Sequence, residues 1–247
     1  MGGAGLIGSE IVTFFRKYHH VHILNKKNYK LFLNKKCDLF INANGNSSRY
    51  LGNKYPYLDF IRSVHTTYKS IKDFKFKKYI FLSSIEVYVA NDKKKNKNEK
   101  TKIKVDNINH YGFNKFLSEN IVKHFCKNYL ILRLGPVVSK KMKKNHIYDI
   151  LNKKKIVHVN SESQSTFISS NVVVEIIFKL LKKRINGIIN ISAINSLNFK
   201  NIDKFLSSKS NFDSSIKKFN NSVNTKIIEN FFDKNRLRTE YAIKQIF

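Results

Sequence analysis

The sequence predicts an α/β protein built on a doubly wound parallel sheet. Apolar runs of strand length alternate with segments of helical periodicity, and several of the runs end in small polar residues or glycine. A glycine-rich stretch also opens the chain directly before an amphipathic helix. With 247 residues, of which 42% are hydrophobic, the chain is long enough to bury a sizeable core.

The glycine-rich stretch occupies residues 1–8. Gly2, Gly5 and Gly8 recur at three-residue spacing, and Gly3, Gly5 and Gly8 satisfy the pattern G-x-G-x-x-G. Such a loop needs glycines because the backbone turns tightly out of a strand and approaches a pyrophosphate closely. The apolar positions that follow have helical spacing: Leu6, Ile7, Ile11, Val12, Phe14 and Phe15. The stretch therefore predicts a dinucleotide loop at the positive end of a helix.

The next apolar segment, His20 to Leu24, predicts a short strand that ends at Asn25. In a dinucleotide-binding unit, the residue after this strand is often an acid that binds the ribose 2′-hydroxyl. Here Asn25, Lys26 and Lys27 occupy that place, which favours NADP slightly if the lysines are not simply solvated. The choice between NAD and NADP stays open.

The alternation continues through the middle of the chain, where polar or turn residues follow each strand. The predicted elements are a strand from Asp38 to Asn44, a helix from Pro56 to Asp73, a strand from Tyr79 to Ser84, a helix from Tyr111 to Cys126 and a strand from Tyr129 to Leu134. Between the second strand and the second helix, residues 91–104 are rich in Lys and Asn and predict an exposed, solvated loop.

Beyond Pro136 the pattern is weaker. It predicts a helix at 147–151, a strand at 156–159, a helix at 171–181 capped by Asn171, a strand at 187–192 and weak helices around 202–206 and 241–247. We expect residues 1–140 to form a dinucleotide-binding domain. Residues 141–247 would complete the sheet and form a small substrate-binding lobe.

The formal charge of +30 would ordinarily point to nucleic acid. The lysines are spread over the whole chain, however, and are not interleaved with aromatic residues as a stacking platform requires. We prefer compositional bias as the explanation. A non-catalytic protein that binds RNA or another polyanion remains the alternative.

Other classes of protein fit the composition poorly. Cys37 and Cys126 lie among apolar residues and predict reduced core thiols, and the eight histidines show no metal-ligand spacing. No apolar run approaches the roughly 18 residues of a membrane span, and no signal peptide is recognisable. We expect a cytoplasmic protein without a metal.

Tyr111 and Lys115 stand four residues apart, so both project from one face of the predicted helix. A nearby cation favours the phenolate, and we therefore expect Lys115 to lower the pKa of Tyr111. Ser84, at a strand end, could hydrogen-bond the same substrate oxygen. The three residues predict proton exchange with a substrate that loses or gains hydride.

The order of these motifs resembles that of the extended short-chain dehydrogenase/reductases, the NAD-dependent epimerase/dehydratase family. The resemblance covers about residues 1–200 and rests on residues 2–8, 83–88, 111–115 and 130–136, with weaker likeness at 167–172 and 187–191. It implies a Rossmann-fold enzyme that acts mainly on nucleotide-linked sugars with bound NAD or NADP.

The resemblance also implies roles for individual residues. Tyr111 would be the acid/base, Lys115 would bind the nicotinamide ribose, and Ser84 would complete the catalytic set. Contacts to the cofactor would come from Gly2, Gly5, Leu6, Ile7, Gly8, Asn44, Lys115 and Pro136. The family commonly has alanine in place of Asn44 and aspartate in place of Asn171.

Glu86 matches a glutamate that serves as a base in sugar-nucleotide 4,6-dehydratases of the family. The thymidine-sugar dehydratases carry an aspartate just before it, where this chain has Ile85. We therefore rank epimerase or reductase chemistry above dehydration. Glu86 could also be a solvated loop carboxylate.

The family's first strand would precede Gly2, and only Met1 stands there. Four buried side chains contribute about 6–12 kcal/mol, comparable with the stability of a whole domain. We expect that the start is misplaced or the chain truncated, and that this form is marginally folded or poor in cofactor. Relatives often dimerise through the helices that match 56–73 and 111–126, so a homodimer is a further expectation.

Overall fold

The computed structural model describes residues 1–46, 48–91, 93–152 and 156–247. The chain forms two compact units, each assembled from three stretches. The first unit contains Met1–Val89, Lys102–Leu134 and Val174–Ile189; the second contains Ala90–Thr101, Gly135–Val173 and Asn190–Phe247. Within the described residues, no helix combines the length and apolar character that a membrane span requires.

Eight strands and ten α-helices are described. The strands are β1 (Lys36–Asn42), β2 (Lys75–Ser84), β3 (Tyr129–Leu134), β4 (Val137–Val138), β5 (Gln164–Ser165), β6 (Ile168–Ser169), β7 (Gly187–Ile191) and β8 (Leu197–Asn198). The helices are α1 (Leu6–Phe15), α2 (Arg49–Lys54), α3 (Pro56–Phe60), α4 (Thr66–Asp73), α5 (His110–Phe125), α6 (His146–Leu151), α7 (Ser170–Lys182), α8 (Phe199–Phe205), α9 (Lys226–Glu229) and α10 (Thr239–Lys244).

The central sheet has four strands in the order β1-β2-β3-β7. β1 pairs with β2, and β2 with β3, in parallel, so their carboxyl ends meet at one edge. The middle residues of β2 and β3 are buried apolar side chains, as expected for strands covered on both faces. Met1 hydrogen-bonds to β1 and to the residue after it: its amino group donates to the Ile41 carbonyl at 2.8 Å, and its carbonyl accepts from the Ala43 amide at 3.0 Å. The predicted α/β fold with a parallel sheet is confirmed.

Helices flank this sheet. In the first unit, Phe14 of α1 packs edge-on against Phe178 of α7, with ring centroids 5.4 Å apart. The predicted helix at 56–73 is continuous, although a π-helical turn at Ile61–His65 joins α3 to α4. Pro56 begins it, as a proline at the first helical position should.

The predicted strand at 20–24 is wrong, because the segment has no strand structure. Leu24 is nonetheless buried in a core cluster, so its apolar character reflects packing. A strand also requires a partner for its backbone groups, and sequence periodicity does not reveal that partner. Asn25 ends the segment in a side-chain turn, its Oδ1 accepting from the Lys27 amide at 2.8 Å.

Three other expectations need correction. The segment 156–159 forms only an isolated bridge between Val157 and Phe212. Helix α7 begins at Ser170, so Asn171 lies in its first turn and is not the cap. Cys126 is buried as expected. Cys37 is exposed, because it lies near the start of β1, whose first three residues are exposed.

The loop at 91–104 is mostly exposed, with Asp92 outside the described residues. Lys97 is the exception, since it is 2% exposed in the second unit. Its ammonium donates to the carbonyls of Ala90 and Asn220, each at 2.9 Å. The lysine therefore joins two segments of this unit, a role that the Lys/Asn-rich composition concealed.

Candidate active site

The glycine loop lies against the end of β1. Gly2 has φ of +79°, and a Cβ there would lie 2.6 Å from the backbone of Ala43 and Asn44. A Cβ at Gly8 would lie 2.1 Å from the Gly2 carbonyl oxygen, whereas one at Gly5 would meet only that oxygen at 3.4 Å. Gly2 and Gly8 are therefore required by close backbone approach, and Gly5 is not.

The loop leads into the amino end of α1. Gly5 is the N-cap residue of α1 and has no side chain that could cap the helix. The first turn, which includes Leu6 and Ile7, holds no acidic residue. Backbone amides of a first turn have no intrahelical acceptor and attract anions. The donor set and the close backbone approach thus fit a pyrophosphate, as a dinucleotide cofactor would supply.

The segment after β1 connects this loop to the predicted catalytic helix. Gly45 has φ of +117°, and a Cβ there would lie 3.3 Å from Ser63 Oγ and 3.4 Å from Lys115 Nζ. The backbone of Asn44 contacts Gly2, while its side chain donates to Thr66 Oγ1 at 3.2 Å. Ala43 and Asn44 therefore lie against the glycine loop, and Gly45 lies beside the Lys115 ammonium.

Tyr111 and Lys115 both lie on the buried face of α5, 8% and 5% exposed. The Ser84 side chain is close enough to the Tyr111 phenol to act against the rise of its pKa. Lys115 Nζ lies 5.9 Å from the centroid of the Tyr111 ring and donates to the Leu82 carbonyl at 3.1 Å. The structure brings together Ser84, Tyr111 and Lys115, which the sequence had placed in one site.

The electrostatics of the pair differ from the expectation. Burial raises the pKa of the Tyr111 phenol, and the negative charges of Glu86 and Asp59 raise it further, against the opposing effect of Ser84. Burial lowers the pKa of Lys115 to about 8, while Asp59 and Glu119 act to raise it. The expectation of a lowered pKa for Tyr111 is therefore wrong in this structure, because burial and two carboxylates dominate.

Glu86 lies in a short 3₁₀ turn directly after β2. Its carboxylate accepts from Asn109 Nδ2 at 3.0 Å and lies 3.5 Å from the Arg49 guanidinium, with its side chain 21% exposed. A Cβ at Gly112 would lie 2.1 Å from the Glu86 carbonyl oxygen. Glycine at that position thus lets α5 approach the strand end, which sets the distance between Tyr111 and Ser84.

A buried ion pair supports the same strand end. Arg133 on β3 donates from Nε and Nη2 to the two oxygens of Glu119, at 3.0 and 2.7 Å. Ser83 Oγ donates to the same carboxylate at 2.6 Å, and Arg133 Nη1 donates to the Tyr88 hydroxyl at 2.8 Å. Because Ser83 precedes Ser84 and Glu119 follows Lys115 by one turn, the network joins the elements that carry the candidate catalytic residues.

A comparison with protein families shows which family the chain belongs to. Residues 1–192 match the NAD dependent epimerase/dehydratase family. The chain belongs to this family. It is thus a member of a family of NAD-dependent enzymes, and the resemblance stated from its motifs is confirmed.

Solved structures similar to this family member include dTDP-4-dehydrorhamnose reductase from Yersinia enterocolitica (TM-score 0.80, 16% identity, 100% of this chain and 98% of that chain). The same enzyme from Bacillus anthracis in complex with NADP has a TM-score of 0.81 at 14% identity, covering 100% and 96%. UDP-glucose 4-epimerase from Thermotoga maritima has a TM-score of 0.75 at 16% identity, covering 99% and 96%. These likenesses support the fold. Among curated proteins, no sequence matches.

One residue assigned to cofactor binding from the family motif, Pro136, lies in the second unit. It is half-buried, and its carbonyl accepts from the Ile168 amide at 3.0 Å. Its neighbour Gly135 has no room for a side chain, since a Cβ would lie 2.4 Å from Ser192 Oγ.

Sequence reasoning missed two residues of the site. Glu119 continues the four-residue spacing of Tyr111 and Lys115, so helical periodicity could have revealed it. Asp59 is buried beside the same helix, 2% exposed. No local pattern distinguishes it from a solvated acidic residue. Within the described residues, no group of three or more His, Cys, Asp or Glu side chains is arranged to hold a metal ion.

Proposed function

We propose that the chain is an NAD(P)-dependent epimerase or reductase of a nucleotide-linked sugar, with Ser84, Tyr111 and Lys115 as its catalytic set. The observation that carries this proposal is the course of residues 43–45, which lie against the glycine loop at Ala43 and beside the Lys115 ammonium at Gly45. A dinucleotide bound at the loop would thus extend towards the Tyr111 phenol. When bound, it supplies the hydride chemistry of the family.

Each residue has a separate task. The amides at the start of α1 and the glycines Gly2 and Gly8 hold the pyrophosphate. Lys115 donates to the nicotinamide ribose, and Ser84 orients the substrate oxygen. Tyr111 transfers the proton at that oxygen, and its raised pKa keeps it protonated at neutral pH, as the proton donor of a reductase requires.

The similar structures guide the choice of substrates to assay. They include reductases of dTDP-4-dehydrorhamnose and a 4-epimerase of UDP-glucose, so both sugar nucleotides belong in the first panel. NADH and NADPH should be compared in the reductase reaction, and NAD⁺ and NADP⁺ in the epimerase reaction, since the exposed Lys26 and Lys27 leave that choice open.

The decisive experiment is Tyr111→Phe. We expect turnover to fall about 10²- to 10⁴-fold, because the proton donor is lost while the ring remains. Cofactor affinity, measured by NAD(P)H fluorescence, should stay within about threefold of wild type, because the phenol hydroxyl is assigned to the chemical step and not to cofactor binding. Tyr68→Phe is the matched control, because Tyr68 is an exposed tyrosine of α4. Full activity of Tyr111→Phe would show that the catalytic roles are misassigned.

Dehydration through Glu86 is a less favoured assignment for the same site. The Glu86 carboxylate is engaged by Arg49 and Asn109, which supports a structural role at the strand end. Glu86→Gln should therefore retain reductase or epimerase turnover within about tenfold, whereas a dehydratase would lose about 10²-fold or more. Product analysis for a 4-keto-6-deoxy sugar distinguishes the two reactions.

Polyanion binding by a non-catalytic fold makes an opposite prediction. Association with RNA would be tight at low salt and fall steeply with ionic strength, because counterion release sets the slope. Catalytic turnover that depends on Tyr111 would argue against this alternative as the main function.

A further inference from the structure

Asp59 presents an unusual arrangement in the first unit. Its side chain is 2% exposed on α3, and it accepts from Asn114 Nδ2 at 2.8 Å and from Ser63 Oγ at 3.4 Å. Both donors are neutral, and within the described residues no ion pair involves this carboxylate. A carboxylate buried to this extent is costly unless a cation compensates its charge.

Lys115 is a buried cation that lies close to both hydrogen-bond donors of Asp59. Asn114, which donates to Asp59, directly precedes Lys115 on α5. A Cβ at Gly45 would lie 3.3 Å from the Oγ of Ser63, the other donor, and 3.4 Å from Lys115 Nζ, so both side chains lie beside Gly45. The ammonium is itself buried and donates to the Leu82 carbonyl, a neutral acceptor. Asp59 and Lys115 are therefore two buried opposite charges that share one polar cluster.

The other charged groups around the ammonium are already compensated. Glu119, one turn further along α5, is held by two hydrogen bonds from Arg133. Glu86, beyond the end of β2, pairs with Arg49. The Tyr111 phenol on α5 is neutral, because burial and the nearby carboxylates raise its pKa. Among the described residues around the ammonium, Asp59 is left as the carboxylate without a guanidinium partner.

We propose that Asp59 is a positioning residue of the site, the counter-ion that keeps the Lys115 ammonium charged for its hydrogen bond to the cofactor ribose. The proposal rests on the proposed function, because it assumes that Lys115 holds the cofactor. Asp59 does not touch substrate or cofactor itself. It acts through Lys115 and across the two neutral donors.

The test is the pH dependence of cofactor binding in Asp59→Asn, an isosteric change. The dissociation constant of NAD(P)H is measured by fluorescence between about pH 6 and about pH 9.5. Wild-type affinity should fall as pH rises through the pKa of Lys115, about 8. Because Asp59 acts to raise that pKa, D59N should move the alkaline midpoint down by about one pH unit or more. An unchanged midpoint in a folded D59N overturns the proposal.

Two controls separate charge from folding. Asp73→Asn removes a carboxylate from the end of α4, paired with Lys69 at 2.7 Å, and should leave the midpoint unchanged. Asp59→Glu keeps the charge and should restore the wild-type midpoint. An equal shift in Asp73→Asn would assign the effect to net charge and would also overturn the proposal.

A second measurement does not depend on cofactor binding. If Asp59 and Lys115 compensate each other, K115M leaves a buried carboxylate uncompensated, and D59N/K115M removes both charges. The denaturation midpoint of the double variant should then lie above the value that additive single shifts predict. Strict additivity overturns the proposal. If the protein binds no NAD(P)H at any pH while this coupling is present, the proposed function fails and the Asp59–Lys115 pair stands.

Discussion

Arg133→Met is expected to destabilise the first unit strongly. Arg133 is 2% exposed and makes three hydrogen bonds, two to Glu119 at 2.7 and 3.0 Å and one to the Tyr88 hydroxyl at 2.8 Å. The substitution leaves the Glu119 carboxylate fully buried with Ser83 as its remaining donor. Removing one partner of a buried ion pair costs about 3–5 kcal/mol, because the other charge stays desolvated and uncompensated.

The double variant Glu119→Leu with Arg133→Met tests that reasoning. It removes both charges, so we expect it to be more stable than Arg133→Met alone even though it lacks every hydrogen bond of the pair. Urea unfolding followed by far-UV circular dichroism measures both free energies. Arg133→Met should lower the thermal midpoint by about 6–20 °C, since 1 kcal/mol corresponds to about 2–4 °C in a chain of this size. A loss below about 1 kcal/mol, or a double variant less stable than the single one, would refute the argument.

Three further predictions concern close contacts. Gly8→Ala should cost about 1–3 kcal/mol and weaken NAD(P)H binding in fluorescence titration, because its Cβ would lie 2.1 Å from a loop carbonyl; Gly5→Ala, whose Cβ would lie 3.4 Å from the same carbonyl oxygen, should cost little stability. Gly112→Ala gains about 1 kcal/mol of helix propensity, but the added Cβ would clash with the Glu86 carbonyl oxygen. We therefore expect a lower thermal midpoint and, in addition, reduced turnover. Lys97→Met should lower the thermal midpoint, because two backbone carbonyls lose their hydrogen-bond donor, while NAD(P)H affinity stays unchanged. A loss of NAD(P)H affinity that accompanies the lower midpoint would contradict a purely structural role.

The sheet could be predicted from the sequence because its inner strands are continuous apolar runs. β2 and β3 are covered on both faces, so burial alone determines their composition. The segment 20–24 has the same local character but no strand partner, and pairing depends on residues distant along the chain. Periodicity therefore predicted where side chains are buried, and it could not predict which backbone groups are paired.

The proximity of the three catalytic candidates could be predicted from the order of their motifs along the chain. Ser84 follows a strand, and Tyr111 and Lys115 share a helix face, so a parallel sheet brings them to one edge. The pKa of Tyr111 could not be predicted in this way, because it depends on burial and on carboxylates from other elements. Asp59 lies 52 residues before Tyr111 in the sequence, and only the packing of α3 against α5 brings its charge to bear.

The two buried carboxylates around the site differ in whether a guanidinium compensates their charge. Glu119 is compensated by Arg133 through two direct hydrogen bonds, so it serves mainly to fix the strand end. The donors to Asp59 in the described part of the chain, Ser63 and Asn114, are neutral, and its charge acts to raise the pKa of both Lys115 and Tyr111. One carboxylate thus favours a charged ammonium and a protonated phenol at the same time. In the proposed function, a resting site in that state gives a proton to a carbonyl oxygen, which is the step that reduction of a ketosugar requires.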